Sequence, residues 1–158
     1  MERVKLGIAG VGKLGTFHCN TLSQMPAAEL IGVYDIDPGR ARETAERFRC
    51  AAYSSYAEML QDIVAVGIAV PTTLHHEYTL PALASGKAVF VEKPIAATIE
   101  EAAEMAALAS EKKAVLQVGQ SEVPAPSATP VDLERLACTD VRLVDPDHLI
   151  ALDPMAAR

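Results

Sequence analysis

Positive charge is in short supply in this sequence: 14 lysines and arginines face 21 aspartates and glutamates, for a formal net charge of -7. That balance leaves no basic surface to neutralise phosphates, which argues against nucleic acid and anionic membrane as partners. Long apolar runs are missing too. None approaches the roughly 20 residues of a membrane span, and the opening ten residues have neither the apolar stretch nor the cleavage site of a signal peptide. A cytoplasmic protein is the expectation. Cysteine is scarce. Cys19, Cys50 and Cys138 are odd in number, widely spaced and without a Cys-x-x-Cys pair, which fits reduced thiols used as packing filler and not a disulfide framework or zinc site.

What is present suffices for one core. At 158 residues and 50% hydrophobic, the length argues for one domain with a short appendage. From Val4 to Gly119, short apolar runs alternate with helical patterns, the signature of βαβ units around a parallel sheet. Five strands are expected, at Val4–Ala9, Leu30–Tyr34, Val64–Val70, Ala88–Val91 and Val115–Val118, each too brief for a helix. Helix starts carry their own marks: Asp37 ahead of Pro38, and the capping boxes Ser55 with Glu58 and Thr98 with Glu101. The fold class read from this is α/β, a doubly wound parallel sheet of the Rossmann kind over residues 1–119. Beyond Gly119 the composition changes. All nine glycines, all six lysines and all seven aromatics precede residue 120, while five of the ten prolines follow it. Residues 120–158 are therefore expected to be an irregular Pro-rich tail, with a small apolar stripe that permits one short helix over Val131–Cys138.

The strongest local motif is Gly10-Val11-Gly12-Lys13-Leu14-Gly15, which follows an apolar strand and opens a helix carrying Phe17, Thr21 and Leu22. In a G-x-G-x-x-G turn the first glycine permits the tight turn and the second lets the backbone approach a pyrophosphate. The third allows close helix-to-strand packing, with the helix N-terminus facing the anion. Asp35 closes the second strand about 20 residues on, placed to accept hydrogen bonds from a ribose diol. The plainer alternative is that the glycines only shape a tight connection and Asp35 is a surface or capping carboxylate. A rival motif, Gly7 to Lys13 read as G-x-x-x-x-G-K, fails because Leu14 stands where a nucleoside-triphosphate loop needs a Ser or Thr hydroxyl. A carboxylate at Asp35 repels a 2′-phosphate, so NAD is expected ahead of NADP. Arg40 and Arg42, early in the next helix, are the residues within reach of such a phosphate; their plainer role is a solvated helix face.

After the third expected strand come Pro71-Thr72-Thr73-Leu74-His75-His76 and, past a helix, Gly86-Lys87-Ala88-Val89-Phe90-Val91-Glu92-Lys93-Pro94. Adjacent His75 and His76 diverge by about 100° on a helix and have no matching third ligand, so no metal site is expected. Together with the glycine turn and His18, this arrangement resembles the Gfo/Idh/MocA oxidoreductases, whose first domain reads G-x-G-x-x-G-x-x-H, then P-x-x-x-H, then G-K-x-V-x-x-E-K-P. The resemblance covers about residues 4 to 119. It implies an NAD(P)-dependent dehydrogenase or reductase acting on a sugar, nucleotide-sugar or cyclitol-like hydroxyl. Lys93 is then the catalytic residue that polarises or protonates the substrate oxygen, with Glu92 orienting or pairing with it and Pro94 fixing the turn, through a cis bond in one version. It also implies a cofactor site built from Gly10, Gly12, Lys13, Leu14, Gly15, Asp35, Arg40, Pro71, Thr72, His75, Glu92, Lys93 and Pro94. In that scheme His75 lies near the cofactor or at the helix start, His18 packs or caps behind the glycine turn, and His76 is an exposed polar residue.

The resemblance stops near Gly119. Family members run to well over twice this length, and their second half binds substrate and mediates oligomers. A subgroup acting on nucleotide-linked acetamido sugars continues G-H-x-E-R-F-N-P, of which Gly119, Glu122 and Pro126 match here. The family's later Asp-x-x-x-His element is missing, because Asp145-Pro146-Asp147-His148 has the wrong spacing. The expectation is a chain that binds cofactor but is catalytically incomplete alone, whether truncated, frame-disrupted or a short form working as a homo-oligomer or with a partner chain. A second reading, a non-catalytic dinucleotide-binding sensor or docking module, stays open beside it.

Overall fold

The computed structural model describes residues 3–119. Apolar and β-branched runs become six strands: β1 (Val4–Ala9), β2 (Ala28–Tyr34), β3 (Ala51–Ala52), β4 (Ala65–Ile68), β5 (Ala88–Val91) and β6 (Leu116–Val118). Between them lie α1 (Lys13–Gln24), α2 (Pro38–Phe48), α3 (Tyr56–Asp62), α4 (His75–Ala84) and α5 (Ile99–Lys112), with a 3-10 turn at Thr72–Leu74 ahead of α4. Every strand pair is parallel, and the order across the sheet is β3-β2-β1-β4-β5-β6. The expected doubly wound α/β sheet is the one that forms, because strands whose side chains are apolar on both faces need helices on both. One face packs Ile8, Val11 and Val33 against Cys19 of α1 and Ala45 of α2. The other packs Val66, Ile68, Val89 and Val91 against Met59, Leu83 and Met105 of α3, α4 and α5.

Cys19 and Cys50 are free thiols in the first of these clusters, and burial pushes them up to about 12 and about 11 respectively. The fraction present as reactive thiolate falls accordingly, consistent with a packing role. Cys138, the tail at 120–158 and its helix over Val131–Cys138 lie outside the described residues, as do Glu122, Pro126 and His148.

The differences from the sequence expectations have local causes. β3 was not expected, since two exposed alanines carry no strand pattern; it exists because it pairs with Gly32 and Val33 at the sheet edge. β2 starts two residues early and β4 ends two residues before Val70, whose carbonyl is taken by the ring of His75. Asp37 caps α2 as expected, accepting from the backbone N–H groups of Gly39 and Arg40. Donation by Arg40 and then Gly39 lowers the Asp37 carboxyl below its ordinary value. Thr98 caps α5 by accepting from Glu101 N–H, while the Glu101 carboxylate reaches back to Ala97 N–H instead of closing a box on Thr98. Ser55 occupies the N-cap of α3 but makes no side-chain cap bond; Glu58 accepts from Ser54 instead.

Candidate functional site

In an open parallel sheet, helices leave in opposite directions from the two strands where the order reverses, and the crevice beyond their carboxyl ends is the site the topology creates. Here the reversal falls between β1 and β4. The turn after β1, Asp35 after β2, Pro71 and Thr72 after β4, and Glu92-Lys93-Pro94 after β5 all project from that edge. A recess of about 410 Å³ bordered by Arg3, Leu22, Met25 and Phe48 lies at the opposite, amino edge, away from these groups.

The three glycines of the turn serve different ends. Gly10 takes φ +83°, and a Cβ there would meet the Ala69–Val70 peptide at 2.8 Å, so the turn lies flat against the end of β4. At Gly15 a Cβ would come within 1.8 Å of the Gly10 carbonyl oxygen, so α1 can seat on the turn only without one. Gly12 has an ordinary φ of -65°, and a Cβ there would meet nothing within 4 Å. Nothing internal requires glycine at that position. Gly12 is also the N-cap of α1, with no side-chain cap and no acidic residue in the first turn, so the first N–H groups and the positive end of the helix dipole remain available to an anion. Lys13 and Leu14 are exposed beside it.

Asp35 is buried, its side chain only 4% exposed. One carboxylate oxygen accepts from Val11 N–H at 2.8 Å and the other from Asp37 N–H at 2.9 Å. A carboxylate offers about four acceptor positions, so this one ties the glycine turn to β2 and keeps capacity for two further donors. Arg40, half exposed, approaches both Asp35 and Asp37 at 3.6 Å. Ile36 between them is 82% exposed, an apolar side chain on the rim of the site that the sequence reading passed over; its signal was a lone apolar residue in Asp-Ile-Asp.

The Glu92-Lys93-Pro94 element is held at both ends. Its Lys93–Pro94 peptide is cis, and Lys93 itself is exposed at the edge. The Glu92 carboxylate engages a partner with each of its oxygens. Its Oε1 lies 2.6 Å from His18 Nε2, and its Oε2 accepts from Lys93 backbone N–H at 3.3 Å. His18 therefore reaches across the crevice from α1 and does not cap behind the turn. At the other end His75, only 1% exposed, places Nδ1 2.8 Å from the Pro94 carbonyl and Nε2 3.0 Å from the Val70 carbonyl. His75 stands at the start of α4 as expected, but beneath the crevice and not lining it. Its neighbour His76, a quarter exposed, pairs with Glu104 at 2.8 Å. Among the described residues no group of three or more His, Cys, Asp or Glu could hold a metal ion, and no helix is long and apolar enough to cross a membrane.

The edge thus offers an open, uncapped helix start that an anion fits, a carboxylate with spare acceptor capacity one strand away, and a lysine two strands away on the other side. Comparison with known proteins bears on the family and the fold. Residues 4–120 match the model of an oxidoreductase family described by its NAD-binding Rossmann fold. The chain is 34% identical over 119 residues to UDP-N-acetylglucosamine 3-dehydrogenase of Acidithiobacillus ferrooxidans, a match covering 75% of this chain and 37% of that protein. A solved structure of that enzyme superposes with a TM-score of 0.72 over 75% of this chain and 39% of that one. Inositol 2-dehydrogenase of Acidothermus cellulolyticus is 38% identical over 99 residues, 60% of this chain and 29% of that protein. GenD2 from gentamicin A biosynthesis, solved in complex with NAD, is 30% identical with a TM-score of 0.73, covering 75% of this chain and 35% of that one. The chain spans between 29% and 39% of the length of these relatives. A family match that runs through the whole described sheet means that this chain belongs to the Gfo/Idh/MocA oxidoreductases and carries their NAD-binding Rossmann fold.

Proposed function

We propose that this chain is the cofactor-holding part of an NAD-dependent oxidoreductase acting on a hydroxyl of a sugar, nucleotide-sugar or cyclitol-like substrate. The observation that carries this reading is Gly12, a glycine the fold does not need, standing over an uncapped helix start on the same edge as Asp35 and Lys93. The substrate class follows the names of the relatives, among them UDP-N-acetylglucosamine 3-dehydrogenase and inositol 2-dehydrogenase. In this reading residues 1–119 are the dinucleotide-binding unit and 120–158 an appendage to it.

The residues divide the work by chemistry. Gly10, Gly12 and Gly15 bring the backbone N–H groups of Lys13 and Leu14 to a pyrophosphate. Asp35 accepts from a ribose diol with its two spare positions, and Pro71 and Thr72 border the crevice from β4. NAD, when bound, supplies the hydride acceptor. Lys93 holds or gives the proton at the substrate oxygen through Nζ. Glu92, Pro94 and His75 act through the backbone that carries Lys93.

Asp35 favours NAD over NADP because a 2′-phosphate would meet a buried carboxylate. Arg40 offers such a phosphate less than a free arginine would, since it already faces Asp35 and Asp37. Calorimetric titration of both cofactors tests this. The native chain should bind NAD more tightly, and Asp35→Ser should lower the ratio of NAD to NADP affinity by about tenfold or more. The ratio is the proper readout, because the mutation also frees Val11 N–H and weakens both cofactors through the turn they share. Equal affinities in the native chain would overturn the preference.

A further inference from the structure

We infer that His18 is a positioning residue for Lys93, acting through Glu92, so that the helix opening at the glycine turn and the lysine-bearing strand end are set by one contact. The inference rests on the reading of Lys93 just given. His18 stands on the second turn of α1, and Glu92 follows β5, 74 residues away in sequence. One strand, β4, lies between β1, which leads into α1, and β5, which leads into Glu92.

The contact is built on both sides. The carboxylate only accepts, so His18 Nε2 donates to Glu92 Oε1 at 2.6 Å, and both side chains are largely shielded, at 21% and 13% exposure. The imidazole stacks edge-on to Phe90, ring centroids 5.4 Å apart, which leaves it little freedom to turn away. Glu92 is anchored through its backbone, donating N–H to the Ile68 carbonyl at 3.1 Å. Its other oxygen accepts from Lys93 N–H, so the position of the carboxylate is passed directly to the lysine peptide. Gly119 supplies an independent sign that this space is reserved: a Cβ there would come within 2.8 Å of Phe90 and 3.1 Å of Glu92 Oε2. The far end of the element is already fixed by His75 on the Pro94 carbonyl. The near end is held by the Glu92 carboxylate, whose outer oxygen is fixed by His18.

The consequence is a mechanical link between the two halves of the crevice. His18 on α1 and the peptide that carries Lys93 meet on the same carboxylate, so a displacement of either would be felt by the other. A residue that merely filled space would be replaceable by any side chain of similar volume; His18 is replaceable only by one that donates toward Glu92.

The test is hydrogen exchange by NMR on the full 158-residue chain, reading the Lys93 amide against the core amide of Val66. His18→Ala should speed exchange at Lys93 by about tenfold or more, the scale of one charge-assisted hydrogen bond, and leave Val66 unchanged. His18→Gln, which presents an amide donor to Glu92, should return Lys93 to within about threefold of native. A Lys93 amide as slow in His18→Ala as in the native chain would overturn the inference, and so would equal acceleration at Val66, which would mean a general loss of stability. Should His18→Ala not fold, Glu92→Gln keeps the volume and the acceptor toward His18 while removing the acceptor toward Lys93 N–H; slow exchange at Lys93 in it, or fast exchange at Lys93 in His18→Gln, would again count against the link. Titration of NAD into the native chain separates the two readings: absence of binding would remove the cofactor role while leaving the exchange result to stand or fall alone.

Discussion

Gly12 and Gly15 are three residues apart in one motif, yet physics assigns them opposite duties. A methyl group at Gly15 runs into the Gly10 carbonyl, and backbone cannot retreat from it as a flexible side chain would. Gly15→Ala should therefore destabilise the domain by about 3 kcal/mol, at the upper end of overpacking costs. Gly12→Ala meets open space at an ordinary φ and should cost less than about 1 kcal/mol, the difference between Gly and Ala as N-cap. Thermal denaturation of both variants checks the pair; equal losses would mean that Gly12, too, is held by the fold. Much of this was legible in the sequence, because the glycine motif, Asp35 and the Glu92-Lys93-Pro94 run each carry their chemistry in a few consecutive residues. The pairing of His18 with Glu92 was not. Two residues 74 positions apart meet only when the strand order places them there, and no local pattern in either segment encodes that.

The elements follow the same division between local and distant causes. Strands made of apolar, β-branched residues and helices opened by a capping residue were readable, since their determinants lie within one turn or one run. β3 was not, because its two alanines owe their conformation to Gly32 and Val33 across the ladder. Capping shows the limit in a testable form. Thr98 and Ser55 look equivalent in sequence, each followed three residues later by glutamate, but only Thr98 accepts from the helix, at Glu101 N–H. Thr98→Ala should cost about 1 kcal/mol in chemical denaturation and Ser55→Ala a small fraction of that. The reverse order would show that the α3 cap forms in solution and that the pairing of Ser54 with Glu58 does not.

At the scale of the whole molecule, six parallel strands and the reversal between β1 and β4 bring the open helix start, the buried carboxylate of Asp35 and the lysine to one edge. Among the described residues that edge faces no second layer. Positioning a substrate against a cofactor can supply about 7 to 11 kcal/mol of barrier reduction, and the described residues place no wall opposite that edge. The central claim is therefore about binding: a dinucleotide occupies the open start of α1 with its pyrophosphate over Gly12. Calorimetric titration of NAD into the native chain and into Gly12→Ala, both verified as folded, tests it most directly. The account predicts saturable one-to-one binding by the native chain and a loss of about tenfold or more in affinity for the variant, equivalent to about 1.4 kcal/mol, with stability nearly unchanged. No binding by the native chain, or equal affinity in the two, would contradict it.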